Sequence, residues 1–342
     1  MTPEPNRAAA GGLRLRPAGP DDAAAVLACQ NTVFGAGGGA PRSLAWWRWK
    51  FLANPAGHGL QMIAETAAGE VVGVYGALPV SVSIAGRRAR GAQCVDHCVR
   101  GEWLRHGGDD GLFAQLGRAF LDRWLGLGDE QVMFVYGLPV SGWRSGARHL
   151  GWQIVRDWDV TFRELPPGAA ARATPARRTV RVVPRFGVDV DRLFERLAPD
   201  FGLATARDHH YLNWRYADHP DRHYVLFECR DGDDGPLCGV AVYGCGDLVR
   251  ANTGFLTDWM HPAGDDDTMT ALLAAVEARA IADGTGLVCS VWNPMDPRFL
   301  AMQDHGYRVR GTPWFLTVVS ARYDAIFFRE KWYFTLGDSD LV

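Results

Sequence analysis

The chain has 342 residues, 47% of them hydrophobic and 22% charged, with a net charge of −3. These are ordinary values for a well-packed protein long enough for two cores, and the slightly acidic balance argues against a nucleic-acid carrier. No window reaches the ~18 uninterrupted apolar residues of a spanning helix, and residues 1–12 lack the apolar centre of a secretion signal, so a cytoplasmic protein is expected.

In chain order the pattern predicts a strand at Leu13–Arg16, a helix over Asp21–Phe34, a Gly-rich loop and a Trp-rich helical turn. A hairpin within Met62–Ala77, a long strand through Gln93–Arg100, a helix over Asp110–Leu125 and a strand at Val132–Tyr136 follow. A short helix over Ser141–Leu150 and strands at Trp152–Val155 and Val160–Glu164 close this half. Pro166-Pro167-Gly168 and the Ala/Arg/Pro-rich stretch to Arg178 then interrupt all periodicity and read as a linker. The same order recurs beyond it: a strand near Val180–Val183, helix Asp189–Leu197, hairpin Tyr224–Gly244, strand Thr253–Met260 and helix Asp267–Ala282. Strand Leu287–Trp292, helix Arg298–His305 and strands near Tyr307 and Phe315–Val319 finish it.

The two halves also repeat in sequence. Trp46-Trp47-Arg48-Trp49-Lys50-Phe51-Leu52-Ala53-Asn54-Pro55 answers Tyr211-Leu212-Asn213-Trp214-Arg215-Tyr216-Ala217-Asp218-His219-Pro220, and Pro220 stands 165 residues after Pro55. A duplication follows, with domains at 1–165 and 179–342 joined by 166–178, and function belongs to the two halves and the cleft between them. Seven cysteines, an odd number without framework spacing, are expected to be reduced thiols. Cys94 and Cys98 flank Asp96 and His97, but no second Cys/His cluster completes four ligands, so packed thiols are expected and no metal.

This order resembles the GNAT superfamily of acyl-CoA-dependent acyltransferases, here in tandem. The resemblance implies an α/β fold of two GNAT-like domains, each a mixed, mostly antiparallel sheet flanked by helices. Val95-Asp96-His97-Cys98-Val99 looks like the family's fourth strand, and Tyr136-Gly137-Leu138-Pro139 like the end of its fifth. Arg105-His106-Gly107-Gly108-Asp109-Asp110-Gly111-Leu112 occupies the place of its pyrophosphate loop. Arg148-His149-Leu150-Gly151-Trp152 resembles its final helix-to-strand step. In the second half Leu256-Thr257-Asp258-Trp259, Trp292-Asn293-Pro294 and Asp304-His305-Gly306-Tyr307 answer these.

The resemblance implies acyl-CoA, acetyl or longer, as co-substrate. Backbone N–H groups at a helix start cradle phosphate, and Gly107, Gly108 and Gly111 suit the close approach. Asp109 and Asp110 depart from the family's loop. The second loop, Ala263-Gly264-Asp265-Asp266-Asp267, has no base and reads as a helix cap. Tyr136 and the backbone of His97, Cys98 and Val99 complete the implied cofactor wall. Acyl transfer to an amine needs a base and donors for the thioester oxygen. Asp96 and Asp258 are expected at matching places. Strict alternation puts Cys94, Asp96 and Cys98 on one strand face and His97 on the other, so only one of Asp96 and His97 can face the cleft, and either is a candidate base. The family's frequent Tyr acid is replaced by Ala147 and Met302.

Trp46 and Trp49 share a helical face and are either core or the wall of an acceptor site, with His210, Trp214, Asp258 and Asn293 as its other candidates. The aromatic and acidic stretch Trp332–Asp340 either meets an acceptor ammonium or is solvated. The expected function is N-acylation of an amino sugar or natural-product amine by direct transfer. The alternatives are a Fem-like aminoacyl transferase, which lacks its basic field for tRNA here, and a non-catalytic acyl-CoA-binding or other ligand-binding scaffold.

Overall fold

The computed structural model describes residues 7–8, 12–36, 38, 40–105, 111–139, 150–170 and 172–342. Its first sheet begins with β1 (Arg7–Ala8), β2 (Arg14–Pro17), β3 (Leu60–Glu65), β4 (Val71–Ile84), β5 (Arg87–Val99) and β6 (Phe134–Gly137). Helices α1 (Ala23–Gly35) and α2 (Leu44–Leu52) cover one face, where Val26, Leu27, Trp47 and Phe51 pack on Val74 and Val95. Helix α3 (Gly111–Trp124) covers the other with Leu112, Leu116 and Phe120, one apolar stripe at a spacing of four. β5 and β6 are parallel, and the remaining neighbours from β1 to β5 are antiparallel.

The second half holds β9 (Arg178–Val183), α4 (Asp189–Leu197), β10 (Leu203–Thr205), α5 (His209–Leu212) with a π-turn over Asn213–Ala217, β11 (Val225–Asp231) and β12 (Leu237–Gly246). β13 (Thr253–Met260), α6 (Asp266–Ala282) and β14 (Leu287–Ser290) continue it. Arg172, within the stretch expected to be a linker, is bonded to Glu277 and to the His305 carbonyl.

The repeat holds at atomic detail. Ser43 caps α2 by accepting from Trp46 N–H, and Asp208, its counterpart, caps α5 by accepting from Tyr211 N–H. Both helices end in a wide turn, Ala53 N–H to the Arg48 carbonyl and Asp218 N–H to the Asn213 carbonyl. Trp49 and Trp214 stack on each other at 5.2 Å. Each indole N–H donates to the other's carbonyl, at 2.8 and 3.0 Å across a separation of 165 residues. Repeat-related residues in mutual, reciprocal contact mark an internal two-fold axis, as in an isologous dimer.

One expectation fails at the closing strands. β7 (Gln153–Asp157) stays with the first sheet, but β8 (Val160–Glu164) crosses to pair with β14, and with β15 (Arg308–Arg310) on its other side. In exchange β16 (Phe315–Ser320) inserts between β6 and β7. The crossovers meet at Trp158 and Trp314, whose rings lie 5.9 Å apart edge-on. Trp158 is fully buried in a core shared by both sheets, with Phe255, Leu287 and Leu316. The exchange buries that indole between the sheets, a burial worth roughly 4–6 kcal/mol by area. Helix α7 (Pro297–Asp304) precedes β15, and helix α8 (Ala325–Lys331) and β17 (Trp332–Tyr333) follow β16, β17 lying parallel to β10, which pairs antiparallel with β4.

Candidate functional site

Pairing of β5 with β6 stops at Gln93↔Tyr136, while β5 runs on to Val99. The opening between them is a cavity of about 510 Å³ lined by Phe34, Tyr75, Cys94, Asp96, His97, Phe113, Leu138 and Trp152, among others. On the other side of β5 the ladder with β4 pairs Val74 with Cys98 and Gly76 with Val95. Two residues, Asp96 and His97, therefore oppose the single Tyr75 in a β-bulge. Asp96 takes the left-handed conformation, φ 55°, which a non-glycine residue holds only where its surroundings enforce it.

The bulge corrects the alternation argument. The extra residue shifts the phase, so Cys94 shares the α3 face with His97, whereas Cys98 lies among the α1/α2 contacts. Both Asp96 and His97 line the cavity.

Their chemistry differs. The Asp96 carboxylate, 2% exposed, is gripped by Arg42 Nη1 at 2.6 Å and by Lys50 Nζ at 2.7 Å. Arg42 is the more open of the two cations, 28% exposed against 3%. Its guanidinium lies over Phe34 and Trp46 at 4.5 and 4.7 Å. His97 stacks on Tyr75 at 3.8 Å, and its Nε2 lies 2.8 Å from the Gly76 carbonyl. A carbonyl only accepts, so Nε2 carries the proton and Nδ1 the lone pair. Burial pushes the His97 pKa down to about 4 against the raising effect of that bond, and the ring is neutral at physiological pH.

Burial likewise holds His261 down to about 3. Unfolded, both rings titrate near 6.5. Between the folded values and 6.5 the unfolded chain binds protons that the native chain refuses. Stability is thus fully present above pH 6.5 and lost as pH falls toward 4, by up to roughly 3 kcal/mol per ring. Urea unfolding at pH 7.5 and pH 5 is expected to show the loss, with a shallower dependence in His97→Gln. Equal stability at both pH values would contradict the burial of these rings.

No family model and no curated protein matches the chain. Solved structures do. A probable N-acyltransferase from Enterococcus faecalis V583 superposes at TM-score 0.64 and 13% identity, over 93% of this chain and 75% of its own. Saccharomyces cerevisiae N-myristoyltransferase with bound myristoyl-CoA aligns at TM-score 0.58 and 12% identity, over 92% and 84%. A tandem GNAT protein from the clavulanic acid pathway aligns at 0.58 and 16%, over 91% and 99%. The fold is a tandem GNAT fold.

In this tandem GNAT fold the second half does not repeat the cavity. The repeat carries through the strands: Ala77↔Cys94 and Val74↔Cys98 are answered by Tyr243↔Leu256 and Val240↔Met260, so Asp258 answers Asp96, and Arg207 grips it as Arg42 grips Asp96. Pairing of β13 with β14 stops at Phe255↔Cys289, and the chain from Trp332 to Ser339 packs beside the strand ends. Tyr333 Oη donates to the Trp259 carbonyl, and Gly337 lies so close that a Cβ there would meet Asp258 Oδ2 at 2.9 Å. Asp258 is buried in a network with Arg207 at 2.7 Å, Tyr216 Oη at 3.0 Å and Thr335 Oγ1 at 3.0 Å. Asn293 is also buried, donating to the Arg329 and Trp332 carbonyls. Asp258 is closed off, Asn293 borders only a separate pocket of about 190 Å³ beside Trp332 and Tyr333, and the stretch Trp332–Asp340 is mostly buried rather than solvated.

The other expected site residues divide. Tyr136 is buried away from the cavity, donating to the Asp338 carbonyl at 3.0 Å. Trp46 packs beside Arg42 and Lys50, Trp49 and Trp214 are spent on each other, and His210 stacks on His209 at the surface. Arg105 is exposed, Leu112 and Val99 are core side chains, and His106, Gly107, Gly108, Asp109, Asp110 and Ala147, with most of the predicted helix 141–150, lie outside the described residues. Gly111 opens α3 with φ 65°, where a Cβ would come within 2.7 Å of the Leu104 carbonyl, so glycine is required. Among the described residues no group of three His, Cys, Asp or Glu side chains is placed to hold a metal, and no helix is long and apolar enough to cross a membrane. The sequence reading missed Arg42 and Lys50. Lys50 stood inside the repeated Trp-rich motif, and Arg42 stood just ahead of it at the same 165-residue offset from Arg207, a signal that the motif comparison stopped short of.

Proposed function

We propose that the protein is an acyl-CoA-dependent N-acyltransferase that moves an acyl group, acetyl or longer, directly to a small-molecule amine, an amino sugar or a natural-product amine. The observation that carries this reading is the β5–β6 opening, where a β-bulge and a buried carboxylate share one largely apolar cavity. Apolar walls suit a pantetheine arm and thioester. Bulge amides at His97 and Cys98 supply donors for the thioester oxygen as charge develops. Arg105, the 106–110 loop and the N–H groups at the start of α3 supply the phosphate cradle.

Asp96 is the base in this reading, because burial penalises the imidazolium that His97 would become on taking a proton at Nδ1. An incoming ammonium replaces Arg42, the more open partner, at Asp96 Oδ1 and gives up its proton there. The freed amine attacks the thioester carbon, the C–N bond forms as C–S breaks, and the second proton shed by the nitrogen passes through solvent to the departing thiolate. The filled second half leaves one acyl-CoA site per chain, with that half serving as acceptor wall and support.

Release of CoA thiol from acetyl-, octanoyl- and myristoyl-CoA, with amino sugars, amino acids and polyamines as acceptors, tests the proposal. Amine-dependent release with one product amide is expected. The clamping of Asp96 by two cations favours a second reading, a non-catalytic acyl-CoA binder. Calorimetric binding without thiol release from any pair would establish that one.

A further inference from the structure

Of the 36 Lys and Arg residues in this chain only two are lysine, Lys50 and Lys331. Lys331 is exposed, whereas Lys50 is buried in α2. Its Nζ lies 2.7 Å from Asp96 Oδ2 and 2.8 Å from each oxygen of Asp340. The compact ammonium meets both carboxylates from a single nitrogen. The repeat counterpart of Lys50 is Arg215, also buried, whose Nη2 donates to the Ser339 carbonyl at 3.0 Å and the Val342 carbonyl at 2.7 Å. The two repeat-related cations thus grip segment 339–342 from both sides of the internal axis. Only the one in the first half also reaches the cavity carboxylate.

We infer that Lys50 is a positioning residue for Asp96 and that Asp340 holds Lys50 in turn, so that segment 339–342, at the end of the second half, completes the site of the first. Asp96 occupies a left-handed bulge position, and its carboxylate has only Arg42 and Lys50 as ionic partners among the described residues. Arg42 is the partner that an acceptor displaces, which leaves Lys50 to hold the carboxylate's direction during transfer. Without Asp340, Lys50 keeps one anion instead of two, and the ammonium follows Asp96 rather than fixing it. The kinetic part of this inference rests on the acyltransferase reading; the pairing does not.

The test uses the full chain labelled with 15N-lysine, in which only two side chains report. At neutral pH and low temperature the native protein is expected to show one protected ammonium resonance, from buried Lys50, while that of Lys331 exchanges away. Asp340 is 36% exposed, a position that tolerates substitution. Asp340→Asn is expected to broaden or remove the resonance and to lower kcat about tenfold on the best amine of the thiol-release panel. The KM for acetyl-CoA should stay within about twofold, as for a residue that orients and does not bind the donor. Asp340→Glu should restore both the resonance and most of kcat. An unchanged resonance in Asp340→Asn, an unchanged kcat despite its loss, or no recovery with Glu would overturn the inference. Absence of thiol release by the unmodified protein would instead remove the acyltransferase reading and leave the resonance to decide the pairing.

Discussion

Asp96→Asn is expected to slow acyl transfer by ~10²-fold or more, because the amide keeps the shape of the side chain but has no lone pair basic enough to take the ammonium proton. Acyl-CoA affinity should stay within about twofold, since the donor in this account meets the walls and the bulge amides, not the carboxylate. The substitution leaves Lys50 paired with Asp340, so the buried ammonium is not orphaned and the fold should hold. His97→Gln is the matched control. It retains a side-chain N–H for the Gly76 carbonyl, and a rate within a few-fold of the unmodified protein is expected. A large loss in His97→Gln beside an unchanged rate in Asp96→Asn, with melting temperature and acetyl-CoA affinity preserved in both, would move the base to the imidazole.

Asp258→Ala should act on stability, not on the site. Its carboxylate is bonded to Arg207, Tyr216 and Thr335 in the interior, and Arg207 is also paired with Asp338 at 2.8 Å. Removing one anion leaves a fully buried guanidinium short of its compensating charge and two hydroxyls without their acceptor. A loss of about 3–5 kcal/mol follows from breaking a buried pair on one side only. Urea denaturation reads the loss, and calorimetry below the transition should return unaltered acetyl-CoA affinity. A loss under about 1 kcal/mol would contradict the packing of the 332–339 segment against β13. Normal stability with abolished binding would place the donor in the second half.

The local parts of this architecture were legible because local chemistry dictates them. Ser43 and Asp208 start equivalent helices, and the 165-residue offset of the Trp motifs carries through to the hydrogen bonds of the folded chain. Trp49 and Trp214 show a signal that was available: a large aromatic kept at the same repeat position can meet its own counterpart on a two-fold axis. The exchange of β8 and β16 was not legible, because strands with such apolar alternation fit the edge of either sheet. The bulge hid in the same way. Period-two reasoning assumes an unbroken ladder, and one inserted residue turned Cys94 to the face of His97. Asp258, Asn293 and Tyr136 looked open because nothing near them in sequence shows that residues 332–339, far along the chain, pack over them.

The central claim is that one acyl-CoA site exists and lies in the β5–β6 opening of the first half. Hydrogen–deuterium exchange of the full chain with and without saturating acetyl-CoA tests it most directly. The account predicts slowed exchange in residues 94–99, 111–116 and 136–139, with residues 254–260 and 287–293 unchanged. Protection confined to 254–260 and 287–293, or of equal size in both halves, would contradict it.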